Sequence, residues 1–408
     1  MTSIKAAHEK IANQSRGRIS RRSFTIGTGA AALTLTTAGA AGAQGTPVAT
    51  PEGTPDATPV GGVQASPVAT PGRPLKVAFV YIGPTADLGW TYAHDQGRLA
   101  LAAAHPEVET VYVENIPEAQ AESEPAIRGF AEQGQEVIIA TSFGYGPAML
   151  AVAPQFPETQ FIHISGYQTA ENVSTGFGKI EEPRYVAGFV AGRMSSTGKL
   201  GYVAAFPIPE VLRGINAFTL GVRAANPEAT VQVVWTNTWY NPATERTAAE
   251  ALLDGGADVI AQHQDTPAPQ QAAEAAGKFS IGYNVDMSSQ APAAVLTGPV
   301  WNWGAYYISA IEQIQAGTWS TNQYWGSWQE GVVDLAPIAE FVPAEVRTEA
   351  EALADEFRAG TRGNATIFRG PLLDQDGAER VAEGVSMTDE EILTMDWFVE
   401  GVQGSSEG

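Results

Sequence analysis

Rings and hydrogen-bonding side chains recur along this chain just after short apolar runs. The run ending at Ile82 is followed by Asp87 and Trp90, and the one ending at Thr141 by Phe143 and Tyr145. Later runs lead into Gly166-Tyr167-Gln168, Asn237-Thr238-Trp239-Tyr240, Gln262-His263-Gln264-Asp265, Asn284-Val285-Asp286 and Trp301-Asn302-Trp303. Flat rings offer stacking faces worth roughly 0.5–1.5 kcal/mol beyond their buried area. Asp and Asn supply the directed hydrogen bonds that orient a polar heterocycle. Any single ring could equally be packing, Trp301 and Trp303 in a core or hinge especially. Asp265 or Asp286 could cap a following helix. The recurrence makes the case for a small-molecule site.

Catalytic chemistry has less support. The chain has no cysteine, which excludes disulfides, thiolate metal sites and cysteine nucleophiles. Its five histidines, His8, His94, His105, His163 and His263, form no pair with metal-ligand spacing. His163 lies inside an apolar run and reads as a core histidine. Ser142 and Ser165 follow apolar runs without an evident base. Gly-x-Ser-x-Gly and the phosphate-loop pattern do not occur. No cofactor is expected.

The elements that would position these residues alternate. Lys76–Ile82 is a short apolar run stopped by Gly83-Pro84, as expected of a buried parallel strand. Further strands are expected near 110–114, 136–141, 160–165, 173–179, 200–205, 230–236, 259–262, 280–284 and 294–296. Helical stretches fall between most of them, at 92–104, 122–133, 184–195, 212–225, 245–254 and 270–276. Strand–helix alternation over this length implies doubly wound α/β domains, and in such sheets ligands gather at the carboxyl ends of the strands. A chain of 408 residues suits two domains.

The formal charge of −22 repels nucleic acid and anionic lipid. Residues 1–43 depart from it, with Lys5, Lys10, Arg16, Arg18, Arg21 and Arg22 against Glu9 alone. Arg21-Arg22 within Ser-Arg-Arg-Ser-Phe precedes an Ala/Gly/Thr-rich run ending Ala41-Gly42-Ala43. That is the layout of a signal peptide, and it resembles the twin-arginine type. An uncleaved membrane anchor is the alternative. Residues 44–74 hold the echo Pro47-Val48-Ala49-Thr50-Pro51 and Pro67-Val68-Ala69-Thr70-Pro71, expected to form an extended linker. The chain is thus expected to be exported, to the periplasm or cell surface.

From about Leu75 to Val402 the chain resembles the basic-membrane-protein family, purine and nucleoside receptors of ABC importers. The resemblance rests on Lys76–Trp90, Glu181–Gly192, Arg213–Phe218, Gly256–Ile260 with Gln262–Asp265, Trp301–Gly304, Gly370–Asp374 and Met395–Val399. It implies two Rossmann-like lobes of the type I periplasmic-binding-protein fold, joined by three crossovers. Lobe one would span 75–182 and 294–320, and lobe two 183–293 and 321–408. The chain would return to lobe one near Val295 and cross finally near 319–325.

In nucleoside-binding members the first loop carries an Asp and a stacking aromatic, which fall at Asp87 and Trp90. A ribose-binding acid falls at Asp286. Gly214 stands where a phenylalanine is usual, and Trp301 where a lysine is usual near Val300. Losing that lysine for a ring favours a base over a nucleoside. The expected receptor holds a purine base against Trp90, with Phe143, Tyr167 or Trp239 on the other face and hydrogen bonds from Asn216, Asp265 and Asp286. Trp301 would complete the site. Its partners would be the membrane subunits of an ABC importer. Two alternatives are a sensor subunit with the same pocket and a nucleoside hydrolase. The hydrolase would need an acidic cluster near the first strand, where only Asp87 and Asp95 lie.

Overall fold

The computed structural model describes residues 74–408. The signal-peptide and linker expectations lie outside the described residues. The first five strands are β1 (Lys76–Val80), β2 (Glu109–Val113), β3 (Val137–Ala140), β4 (Gln160–Ile164) and β5 (Val173–Gly178). The next five are β6 (Lys199–Ala204), β7 (Thr230–Trp235), β8 (Val259–His263), β9 (Phe279–Ile281) and β10 (Val295–Thr297). After them come β11 (Pro299–Trp301), β12 (Gln323–Gly326), β13 (Val333–Leu335), β14 (Leu372–Leu373), β15 (Glu379–Val381) and β16 (Val402–Gln403).

Two six-stranded sheets form, ordered β12-β5-β4-β3-β1-β2 and β10-β9-β8-β6-β7-β16, with parallel pairing throughout. Their central strands are buried along their whole length, as Val137–Ala140 and Val259–His263 illustrate, because helices cover both faces. The two doubly wound lobes expected from the alternation are present.

In lobe one the crossovers are α1 (Trp90–Ala104), α2 (Gln120–Glu132) and α3 (Gly146–Val152). α4 (Glu181–Met194) opens lobe two, followed by α5 (Pro209–Ala225), α6 (Pro242–Asp254) and α7 (Ala268–Ala275). α4 and α5 pack tightly because small residues let their backbones approach. A Cβ on Gly188 or Gly221 would run into the backbone of the facing helix. α8 (Trp303–Gln315) returns to pack on α1. The tail holds α9 (Ala344–Arg358), α10 (Asn364–Ile367) and α11 (Asp389–Leu393), and β16 anchors it to β7. Among the described residues no helix is long and apolar enough to cross a membrane.

The expected lobe boundaries need two corrections. Val295–Thr297 pairs with β9 and so stays in the second sheet. Gln323–Gly326 pairs with β5 and belongs to the first. The chain changes lobes through β11, which pairs antiparallel with β13 in a two-stranded ribbon outside both sheets. β12 takes its pairing partner from about 150 residues earlier in the chain, so its local apolar pattern does not say which sheet it joins.

Candidate functional site

The carboxyl ends of the two sheets face each other. On the lobe-one side, Asp87 organises the start of α1. Its carboxylate accepts the N–H groups of Gly89 (2.7 Å), Thr91 (3.1 Å) and Tyr92 (2.9 Å), an end-capping arrangement. Burial outweighs these bonds and pushes its pKa up to about 6.

Capping sets Trp90 as the first helical residue, with its indole N–H donated to the Thr141 carbonyl at 2.6 Å. Trp90 is only 8% exposed. It meets Trp301, Trp303 and His94 edge-on, with ring centroids 5.6, 5.6 and 4.3 Å away. Trp301 stacks on Trp303 at 4.7 Å, so the wall behind Trp90 is aromatic several rings deep. Phe143 continues this wall and lies 5.9 Å from the Tyr167 ring.

The lobe-two side is built of ionisable groups. Arg184 is buried on α4. It donates to the Tyr202 hydroxyl (2.5 Å), the Gln262 carbonyl (3.1 Å) and Nδ1 of His263 (3.2 Å), with Tyr283 under its guanidinium at 3.9 Å. A donor on Nδ1 leaves the ring proton on Nε2, 3.5 Å from Glu210 Oε1 and 3.3 Å from the Tyr283 hydroxyl oxygen. Burial, reinforced by Arg184, holds His263 neutral with a pKa of about 4. Burial alone would raise the Glu210 pKa, but His263, Arg213 and Ser165 outweigh it and keep that carboxyl low. Asp265 is the opposite case: burial first, then the charges of Asp87 and Glu245, push its pKa well up. Asn284 donates to Asp265 Oδ1 (3.1 Å) and accepts the Trp301 indole N–H (3.1 Å), tying this wall to the ribbon.

Three contacts between the lobes frame the inner part of the cleft. The Ser165 hydroxyl donates to Glu210, the Trp239 indole donates to Glu118 at 3.3 Å, and Gly89 lies against Asp265 so closely that a Cβ would strike the Asp265 carbonyl. Ser165 has a positive φ of 64°, and Leu88, Asn237 and Asn284 share the left-handed region. Backbone held there costs energy and clusters at binding sites.

Between the contacts lies a cavity of about 30 Å³. Trp90, Phe143 and Ser165 line it from lobe one, and Glu210, Trp239, His263, Asp265 and Tyr283 from lobe two. A larger chamber of about 520 Å³ adjoins it and shares Phe143, Ser165 and Glu210 as walls.

Of the nine residues expected in the site, Trp90, Phe143, Trp239 and Asp265 line the inner cavity, and Tyr167 lines the outer chamber. The other four do not. Asp87 spends both oxygens on α1. Asn216 is fully buried on α5 and staples the tail, donating to the Trp397 carbonyl (2.8 Å) and accepting the Val399 N–H (3.0 Å). Asp286 is exposed and accepts the Ser288 N–H (2.9 Å), capping a short turn. Trp301 stands behind Trp90 as support. His163 is a core histidine as expected, 2% exposed with Nε2 on the Ser142 carbonyl.

Glu210, His263, Ser165 and Tyr283 line the cavity without having been singled out for it. Glu210 had a usable signal: a strand ends at Ala204, and Pro209-Glu210 starts the next helix, a position that faces the cleft in such sheets. Nothing local links Ser165 to Glu210, which is 45 residues away. Among the described residues no cluster of three acids or histidines suits a metal ion.

Comparison with known proteins agrees with this architecture. A family model described as ABC transporter substrate-binding protein, PnrA-like, matches residues 75–355. A purine-binding protein of Brucella abortus is 41% identical over 329 residues, 80% of this chain and 93% of that protein. A protein of Haloferax volcanii named as an ABC transporter glucose-binding protein is 39% identical over 333 residues, 82% of this chain and 81% of that protein. The solved structure of an ABC transporter solute-binding protein from Conexibacter woesei matches with a TM-score of 0.60 at 26% identity, covering 72% of this chain and 100% of that one. The chain belongs to the PnrA-like family of ABC transporter substrate-binding proteins, two α/β lobes joined as in periplasmic binding proteins.

Proposed function

We propose that this receptor captures a purine base between its lobes and delivers it to the membrane subunits of an ABC importer. The observation that carries the reading is one cavity lined by rings from both lobes, Trp90 and Phe143 opposite Trp239 and Tyr283, with two unlike carboxyls between them. Ring faces on two sides suit a flat heterocycle. Glu210, kept ionised, accepts ring N–H or amino donors. Asp265, whose pKa burial and the neighbouring carboxyls raise, is biased toward the protonated form, which both donates and accepts and so matches a ring nitrogen beside an exocyclic group.

The inner cavity of about 30 Å³ has room for roughly one water. A base therefore enters with the lobes parted and takes over the Ser165–Glu210 and Trp239–Glu118 contacts as they close. Ser165 and Glu210 are not a nucleophile and its base in this reading, because a carboxylate with a lowered pKa is a weak base. The relatives alone do not choose the ligand, since 41% and 39% identity accompany a purine-binding and a glucose-binding name. Export through the twin-arginine layout at Arg21-Arg22 completes the proposal, placing the receptor outside the cytoplasm. Replacing both arginines by lysine should stop export, and unchanged export would remove that route.

The direct test is mass spectrometry of small molecules released from the denatured, freshly purified protein. A purine supports the reading. A sugar in its place overturns it and moves the receptor to the glucose-binding side of the family.

A further inference from the structure

The chamber beyond the inner cavity is larger than a bare base needs, and its outer wall comes from an unexpected place. Its lobe-one side is the edge of the first sheet, with Tyr167, Phe177, Tyr324 and Trp325. Its lobe-two side is the start of α5. α11 and the residue after it close it with Asp389, Glu390, Leu393 and Thr394. α11 lies beyond residue 355, where the family match stops. It packs on α5, and Lys179 at the crossover reaches Asp389 at 3.6 Å.

The chemistry of the chamber is selective. Ring carbons, Pro209 and Leu393 make most of its walls. Its one cation, Arg213, is already paired with the buried Glu181 and sits over the Phe177 and Trp325 rings at 5.4 and 5.6 Å. Glu210, Glu390 and Asp389, the last facing Lys179, leave the lining acidic overall, which disfavours an anion. It shares Phe143, Ser165 and Glu210 as walls with the inner cavity, and its volume falls in the range of small-molecule pockets.

We infer that the outer chamber is a second subsite, for an uncharged alkyl or aryl substituent on the captured ring, and that the α11 wall sets how large that substituent can be. The subsite rests on the inner cavity holding the parent ring, as proposed above. A phosphorylated ligand is rejected by the same walls. Family members with different tails would then differ in the ligands they accept while sharing the inner cavity.

The experiment is titration calorimetry on the full chain and on two chamber-filling variants, Leu393→Trp and Thr394→Trp. Both positions are half-buried on the tail, so a larger ring projects into the chamber without entering a core. The probes are adenine, its 6-benzylamino derivative and adenosine monophosphate, with glucose and phenyl glucoside as a second parent and substituted pair. The substituted member should bind the wild type at least as tightly as its parent, and the monophosphate should not bind. Each filling variant should weaken the substituted member by about tenfold or more while the parent changes about twofold or less. Equal weakening of parent and substituted ligand overturns the subsite, as does rejection of the substituted ligand by the wild type. If only the glucose pair binds and follows the pattern, the purine reading falls and the subsite stands. Binding of neither parent overturns both.

Discussion

The two walls of the cleft solve the same problem with different physics. The lobe-one wall is made of rings locked by other rings: Trp90 is backed by Trp301, Trp303 and His94 and fixed by its indole hydrogen bond. The lobe-two wall is made of ionisable groups whose charge states are set by their neighbours, Arg184 acting through His263 on Glu210, and Glu245 and Asp87 acting on Asp265. One wall offers a rigid surface and the other offers tuned hydrogen bonding. In such an arrangement a change in lobe one is felt by stability as well as binding, whereas a change in lobe two can be felt by binding or pH response alone.

The largest effect should come from the aromatic wall. Trp90→Ala removes a nearly buried ring from the cluster and should destabilise the fold by about 3–5 kcal/mol, with loss of ligand binding. Urea denaturation with calorimetry on the folded fraction separates the two losses. A fold of wild-type stability would show that the wall is not locked as described.

Trp239 sharpens the contrast from the other side. It is half-buried at the cleft and its main polar contact is Glu118 across the gap. Trp239→Ala should weaken base binding by about 1–3 kcal/mol, the scale of stacking on an aromatic ring, with stability little changed. Trp239→Phe should recover much of the affinity.

The pH response tests the buried carboxyls on both sides of the cleft. Burial raises Asp87 to about 6 and Glu245 to about 7, and Asp265 moves in the same direction. Between their ordinary values near 4 and these raised ones, the folded chain holds protons that the unfolded chain has released. Stability is therefore greatest below about pH 4 and falls as pH rises through 7 from this source. Glu245→Gln should flatten the upper part of that slope in denaturation curves taken across the range. An unchanged slope would mean that Glu245 is not held protonated.

The smallest effect is expected at Asp286, an exposed turn residue. Asp286→Ala should change stability by no more than about 0.5 kcal/mol and leave binding as it was. A marked loss of affinity would return it to the site.

How much could be read in advance follows from these residues. Strand positions were legible because a buried parallel strand is largely apolar, and a cavity lies at the strand ends, where ligands of such sheets are expected. Trp90, Phe143, Trp239 and Asp265 followed from that rule. Asp87, Asn216 and Asp286 satisfied it equally well but serve as cap, staple and turn, since a side chain that hydrogen-bonds a ligand hydrogen-bonds backbone just as readily. Glu210 and His263 owe their roles to Arg184 and Ser165, far apart in sequence, and only the folded chain brings them together. The outer chamber was illegible for the same reason, its last wall at Thr394 arriving about 250 residues after its first at Phe143.

The central claim is that the cleft between these walls holds a purine base. Titration calorimetry of ligand-free protein against adenine, guanine, hypoxanthine and glucose tests it most directly. The account predicts saturable binding of at least one base, lost in a Glu210→Ala and Trp239→Ala double variant that still unfolds cooperatively, with no heat from glucose. Saturable binding of glucose with none of the bases would contradict it.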